Sequence, residues 1–152
     1  MKRIWKTIGC FAIVTTIIGS AYAQFASTDD AIKYRQAVMF LIGQHMGRMA
    51  AVIKGNQPYD REGFLRNAVL METLSKLPWD AFLMAGSDQG QTGMKSEALK
   101  NRDEFKAAGQ KLETEVAKLV SAANSGDLKA IKAQFGAVGK SCKNCHDQFR
   151  SR

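Results

Sequence analysis

Proline is scarce in this chain of 152 residues: Pro58 and Pro78 are the only two, and each falls between segments of helical periodicity. Long stretches are therefore free of the residue that breaks helices. Cysteine is limited to Cys10, Cys142 and Cys145, and histidine to His45 and His146. That is too few thiols for a disulfide framework, and a structural zinc site asks for four ligands. Runs of like charge, internal repeats and low-complexity segments are absent too. Basic residues are interspersed with acids, which favours a solvated surface over nucleic-acid binding. No stretch alternates as a strand does. The one long apolar run, Ile8 to Ile18, falls short of the ~20 residues that cross a bilayer.

What stands around that run is Lys2, Arg3 and Lys6 before it and Ala21-Tyr22-Ala23 after it. A basic head, an apolar middle and a small-x-small end make a secretory signal, so residues 1–23 are expected to be removed and the mature chain to start at Gln24. Cys10 leaves with the signal. The formal charge of +8 falls to +5, because the signal carries three cations and no acid. One domain, 24–152, remains, and it is exported without a membrane anchor. Export points to an oxidising compartment, where Cys142 and Cys145 would not stay idle.

Four helical segments are expected. The first runs from about Asp29 to Lys54, capped by Thr28 or Asp29 and stopped at Gly55-Asn56. Ile32, Met39, Met46 and Ile53 recur every seven residues, with Ile42 and Met49 on the intervening seam. Arg35 occupies the same seam one heptad earlier, a charge on a buried stripe that requires a partner. The second helix, about Asp60 to Lys76, carries Phe64, Leu65, Ala68, Leu70, Met71 and Leu74 on a broad apolar side and ends before Pro78. Residues 79–94 read as a long loop that is either disordered or laid against something. The third helix spans about Ser96 to Ala123, and Asn124-Ser125-Gly126 is a turn. The fourth runs from Asp127 to about Arg150 with Leu128, Ile131, Phe135, Val138, Cys142, Cys145 and Phe149 spaced alternately by three and four. Such spacing on four helices with short connections implies an all-α fold, an antiparallel four-helix bundle. Gly43, Gly47, Gly109, Gly136 and Gly139 lie inside helices, where each is either tolerated or marks a close approach.

Cys142 and Cys145 share the inward stripe, and His146 is one residue further round on the inner side. Cys-x-x-Cys-His is the attachment signature of c-type haem: the thiols add to the vinyl groups and the imidazole becomes an axial iron ligand. A thioredoxin-like pair would sit near a βαβ unit, and a plain disulfide would leave His146 unexplained. No acid–base pair or nucleophile constellation accompanies the motif, so an enzyme is not expected.

With that motif at the end of the last helix, the mature chain resembles the cytochromes c′, class II c-type cytochromes. The likeness extends over QFASTDDAIKYRQAVM, GQHMGRM, KGNQPYD, LSKLPWDAF and SGDLKAIKAQFGAVGKSCKNCH. It implies one covalent haem c per chain in a four-helix bundle with the motif near the C-terminal end of the fourth helix. It places the propionate-binding pair on Arg35 and Gln36, a guanidinium against a carboxylate, and a proximal-face cation on Arg150, where complementing the helix C-terminus is the alternative role. It places the distal position on Met39, where the family usually carries an apolar residue that leaves the iron five-coordinate. In the low-spin branch of class II a methionine in this pattern ligates the iron, and a thioether can do either. The resemblance further implies a periplasmic protein of a Gram-negative bacterium, usually a homodimer paired through its first helix, that binds NO and CO, disfavours O2 in an apolar pocket, and exchanges electrons with redox partner proteins. The His/Met-ligated alternative is an electron carrier alone.

Overall fold

The computed structural model describes residues 24–151; the signal expected over 1–23, Cys10 included, lies outside the described residues. Six helical segments follow one another: α1 Thr28–Ile53, α2 Arg61–Ser75, α3 Trp79–Leu83, α4 Glu97–Lys100, α5 Arg102–Ser125 and α6 Leu128–Phe149. The four long ones form the antiparallel bundle that the apolar periodicity implies. Their ends are set by local chemistry. Ser27, one residue earlier than expected, caps α1 by accepting from Asp30 N at 3.1 Å. Asp60 accepts from Glu62 N and Gly63 N at the start of α2, and Asp127 from Lys129 N and Ala130 N at the start of α6. These contacts satisfy N–H groups that a helix leaves orphaned. Gly126 closes α5 at φ +78°, a left-handed conformation that glycine adopts without penalty.

Two expectations change. The third helix is not continuous: Asn101, at φ −109° and ψ 55°, leaves the helical region and divides α4 from α5. Within 79–94, Trp79–Leu83 is helical, and Ser87, Gln91 and Thr92 of the remainder accept hydrogen bonds from Arg35 and Gln36 of α1, so the second of the two readings of that loop holds. Leu128 and Leu70 are corrected as well. Leu128, the first residue of α6, precedes the packed part of the stripe and is 41% exposed; Leu70 faces outward from α2 at 48%.

The core explains the order of packing. Val38, Ile42 and Met49 of α1, Phe64 and Met71 of α2, Leu112, Val116 and Leu119 of α5, and Ile131 and Val138 of α6 form one buried cluster. Each such side chain contributes about 1.5–3 kcal/mol when fully buried. A second, aromatic cluster gathers Met94, Ala98, Phe105 and Phe149 at the end of the bundle where α6 finishes, with Trp79 packed against both clusters. α1 packs on α2, α2 on α5 and α5 on α6, yet α1 and α6 scarcely meet. The bundle is open along that seam.

Candidate functional site

A cavity of about 600 Å³ fills the seam, within the range of ordinary ligand pockets. From α1 it is lined by Arg35, Gln36, Met39, Gly43 and Met46, and from α6 by Ser141, Cys142, Cys145, His146 and Arg150. Trp79, Phe82 and Phe105 close its inner end. Each residue that the sequence assigned to a haem site therefore borders one cavity. His45, the other histidine, does not; its Nδ1 is 2.8 Å from Asn67 Oδ1 on α2.

The thiols of Cys142 and Cys145 are free and half-buried, one helical turn apart. Burial pushes both above the ordinary thiol value, Cys145 to about 11 with Cys142 adding to the effect. Neither is therefore poised as a thiolate for disulfide exchange. The imidazole of His146 makes no hydrogen bond among the described residues. Burial, then the positive charge of Arg150, lowers its proton affinity, with Asp147 opposing. The neutral imidazole so favoured is the form that ligates a metal.

Arg35 is 1% exposed and has no carboxylate at ion-pair distance among the described residues. The partner that the buried stripe asks for is instead a loop. Nη1 donates to Ala81 O at 3.2 Å and Ser87 Oγ at 2.9 Å, and Nη2 donates to Ser87 O and to Thr92 Oγ1 at 2.7 Å. The guanidinium also lies 4.8 Å above the centre of the Phe82 ring, close enough for a cation–π contact. Burial lowers its proton affinity to about 10, Asp88 opposing, so it remains charged at neutral pH. Nε keeps no partner, and neither does the indole Nε1 of Trp79. Gln36 is exposed and donates to Gln91 O at 2.9 Å. Met39 is half-buried, packed against the main core cluster while bordering the cavity.

The C-terminal turn of α6, which carries His146 and Arg150, is fastened by the segment before α4. Met94 and Arg150 form an isolated antiparallel bridge, Lys95 N donates to Phe149 O at 2.9 Å, and Ser151 N donates to Gly93 O at 2.8 Å. Lys95 Nζ reaches Asp147 O and Gln148 O, both at 3.2 Å, a cation on the carbonyls left open at a helix end. The backbone N–H of Arg150 donates to His146 O at 3.1 Å. Arg150 thus caps the helix through its backbone and borders the cavity through its position.

Sequence reasoning missed Trp79 and Phe82 as cavity walls. Their face is set by contacts distant in the chain. The indole lies on Gly109 of α5, so that a Cβ there would stand 3.1 Å from three indole carbons. Of the five helical glycines singled out in the sequence, Gly109 alone marks a close approach; a Cβ on Gly43, Gly47, Gly136 or Gly139 would meet nothing within 4 Å. Trp79 being the sole tryptophan among the described residues, at the start of a turn after Pro78, is the signal that was available.

The residues fit a haem c: paired thiols on one helical face, a neutral imidazole beside them, apolar walls, and buried cationic and N–H donors left for an anionic edge. The family model for cytochrome c′ matches residues 30–150. Cytochrome c′ of Alcaligenes xylosoxydans xylosoxydans is 42% identical over 129 residues, covering 85% of this chain and 99% of that one. That of Rubrivivax gelatinosus is also 42% identical, covering 85% and 100%. Among solved structures, a nitric oxide complex of a point mutant of cytochrome c′ from Alcaligenes xylosoxidans superimposes with a TM-score of 0.79 at 41% identity, over 85% of this chain and 100% of that chain. A carbon monoxide-bound variant of the same protein gives 0.79 at 41% identity, over 85% and 100%. Rubrivivax gelatinosus cytochrome c′ at pH 8.0 gives 0.80 at 43%, over 84% and 100%. With the motif, the cavity and these likenesses in agreement along the whole bundle, the chain belongs to the cytochrome c′ family and is a c-type haem protein carrying covalently attached haem c.

Proposed function

We propose that this chain is a periplasmic gas-binding and electron-exchanging haem protein, not an enzyme, in which NO and CO bind on the α1 side of the cavity and Met39 is a displaceable cap. Cys142 and Cys145 hold the haem covalently, His146 is its axial ligand, and Arg150 lies on the same side as His146. Haem iron supplies a site for diatomic gases and for one electron. The observation that carries the reading is the open α1–α6 seam, with an imidazole on one wall and a thioether facing the cavity from the other. Met39, Ile42 and Met46 bring no hydrogen-bond donor to the cavity, so that part of α1 excludes water and offers nothing to a polar bound dioxygen. Met39 also packs against the core, which gives its side chain an alternative to the iron. Solved relatives hold NO and CO.

Export follows from removal of residues 1–23, and no helix among the described residues is long and apolar enough to cross a membrane. Phe40 and Leu41 on α1 and Val69 and Leu70 on α2 are exposed at 65, 43, 45 and 48%. They support a homodimer joined through these two helices. Redox partner proteins exchange electrons with the haem.

Spectra of the ferric and ferrous holoprotein, with CO-binding rates, test the cap. Mainly high-spin ferric haem is expected, and Met39→Ala should speed CO binding while changing the resting spin state little. A strong methionine–iron charge-transfer band that Met39→Ala removes would replace this reading with that of a low-spin electron carrier.

A further inference from the structure

The α1 wall of the cavity is tied down at one end and bare at the other. On the turn before Met39, Arg35 donates to Ser87 Oγ at 2.9 Å and to Thr92 Oγ1 at 2.7 Å, and Gln36 donates to Gln91 O at 2.9 Å. The connecting segment therefore covers that end. Gly93, exposed on the same rim, accepts from Ser151 N at 2.8 Å. On the turn after Met39 stands Gly43, which borders the cavity, is exposed, and contributes backbone alone. Met46, half-buried, is the next residue of α1 on the cavity; Gly47 does not border it.

Neither backbone nor packing calls for glycine at position 43. It lies within regular helix, and a Cβ built there would meet nothing within 4 Å. In a helix interior it costs up to ~1 kcal/mol relative to alanine. What it leaves is a gap in a wall otherwise made of side chains, with Phe40 on one side and Met46 on the other. Neither offers a hydrogen-bond donor, and only the weakly accepting thioether of Met46 could bond water, which suits the passage of a small uncharged gas. The exposed lining residues of α6, His146 and Arg150, stand on the imidazole wall. An opening beside them leads to that wall and not to Met39.

We propose that Gly43 is the gas port of the cavity: NO and CO enter and leave over its bare backbone, one turn from the Met39 cap. This rests on the gas-binding reading above. It assigns the two ends of the α1 wall different tasks, the strapped end holding the seam and the bare end admitting the ligand.

CO association and dissociation rates of the ferrous holoprotein test the port, measured by flash photolysis and ligand replacement in a Met39→Ala background, where no cap has to move. Gly43→Ala and Gly43→Leu put side chains of increasing size into the gap. Gly47→Leu makes the same change one turn on, outside the cavity. Phe40 is left unchanged because it belongs to the face proposed for pairing. An obstructed path slows entry and exit alike and leaves affinity where it was. Gly43→Leu is therefore expected to lower both rates about tenfold with the dissociation constant unmoved, Gly43→Ala to lower both by less, and Gly47→Leu to alter neither. Rates unmoved by Gly43→Leu, or lowered as far by Gly47→Leu, overturn the port. So does a change in one rate without the other, since Gly43 would then act on the bound gas and not on its passage. Should Gly43→Leu not fold, Gly43→Ala decides by the same rule: both rates lowered together support the port, and unmoved rates overturn it. A ferrous Met39→Ala haem that binds no CO overturns the gas-binding reading itself, and the port with it.

Discussion

Replacing Gly109 by alanine tests whether the cavity wall is a rigid stack or an accommodating one. The new Cβ would lie 3.1 Å from Cδ2, Cε2 and Cε3 of Trp79, well inside the ~3.5–4.0 Å of ordinary carbon contact. The indole cannot readily withdraw, since Phe82 and Phe105 stand against it with ring centres 6.1 and 5.9 Å away. Overpacking of this kind costs about 1–3 kcal/mol. Alanine in a helix interior regains up to ~1 kcal/mol relative to glycine. A net loss of about 1 kcal/mol follows. Gly136 is the internal control: it is also helical, but a Cβ there meets nothing within 4 Å, so alanine should stabilise by about 0.5–1 kcal/mol. For a domain of this size 1 kcal/mol moves the melting temperature by roughly 3–5 °C. Thermal unfolding of the two holoproteins should therefore put Gly109→Ala about 5–10 °C below Gly136→Ala. Only Gly109→Ala should also disturb the Soret band, because only there does the displaced ring border the haem cavity. Equal stabilisation by both substitutions would refute the rigid-stack argument.

Alanine at both Cys142 and Cys145 should abolish covalent haem, read by mass spectrometry of the exported protein starting at Gln24; a wild-type chain with free thiols in a haem-competent host would count against the haem assignment. Glu115, buried between α5 and α6, receives hydrogen bonds from Lys111, Gln134 and Lys118 that hold its carboxyl at about 2, below the ordinary value of 4.5. A lowered value means stability present above about pH 4.5 and lost as pH falls towards 2, so Glu115→Gln should flatten the acid limb of a melting-temperature profile, and an unchanged limb would contradict it. Leu70→Glu on the exposed α2 face should shift the holoprotein from dimer to monomer in sedimentation; a wild type that is already monomeric at micromolar concentration would remove the basis for pairing there.

The bundle was legible because its information is local and periodic. Ile42 and Met49, Phe105 and Leu112, and Ile131 and Val138 recur at sevenfold spacing, and all are buried. The haem motif was legible because three residues on one helix carry the chemistry by themselves. What escaped was whatever depends on residues distant in the chain. Arg35 declared itself as a charge in the wrong place, but its oxygens come from positions 81, 87 and 92, and no spacing rule connects them to position 35. Trp79 escaped for the same reason, since its orientation is set by a missing side chain on Gly109. Leu128 fitted the stripe in phase yet fell outside the packed length of α6, a boundary that periodicity does not encode.

The connecting segment accounts for how a seam between scarcely touching helices keeps its width. Thr92 Oγ1 accepts from Arg35 Nη2 at 2.7 Å on the α1 side and from Met94 N at 3.1 Å. Met94 bridges Arg150, and its neighbours Gly93 and Lys95 bond Ser151 and Phe149 at the end of α6. From Arg35 to Arg150 the path is a short run of hydrogen bonds and backbone through Thr92, Gly93 and Met94, all of which line the cavity. Met39 lies four residues after Arg35 on α1, and His146 four residues before Arg150 on α6, so each is one turn from an end of the strap. Direct packing of α1 on α6 would have fixed the seam by closing it. A strap fixes it while leaving room, with the thioether wall and the imidazole wall held at a separation that helix–helix contact does not dictate.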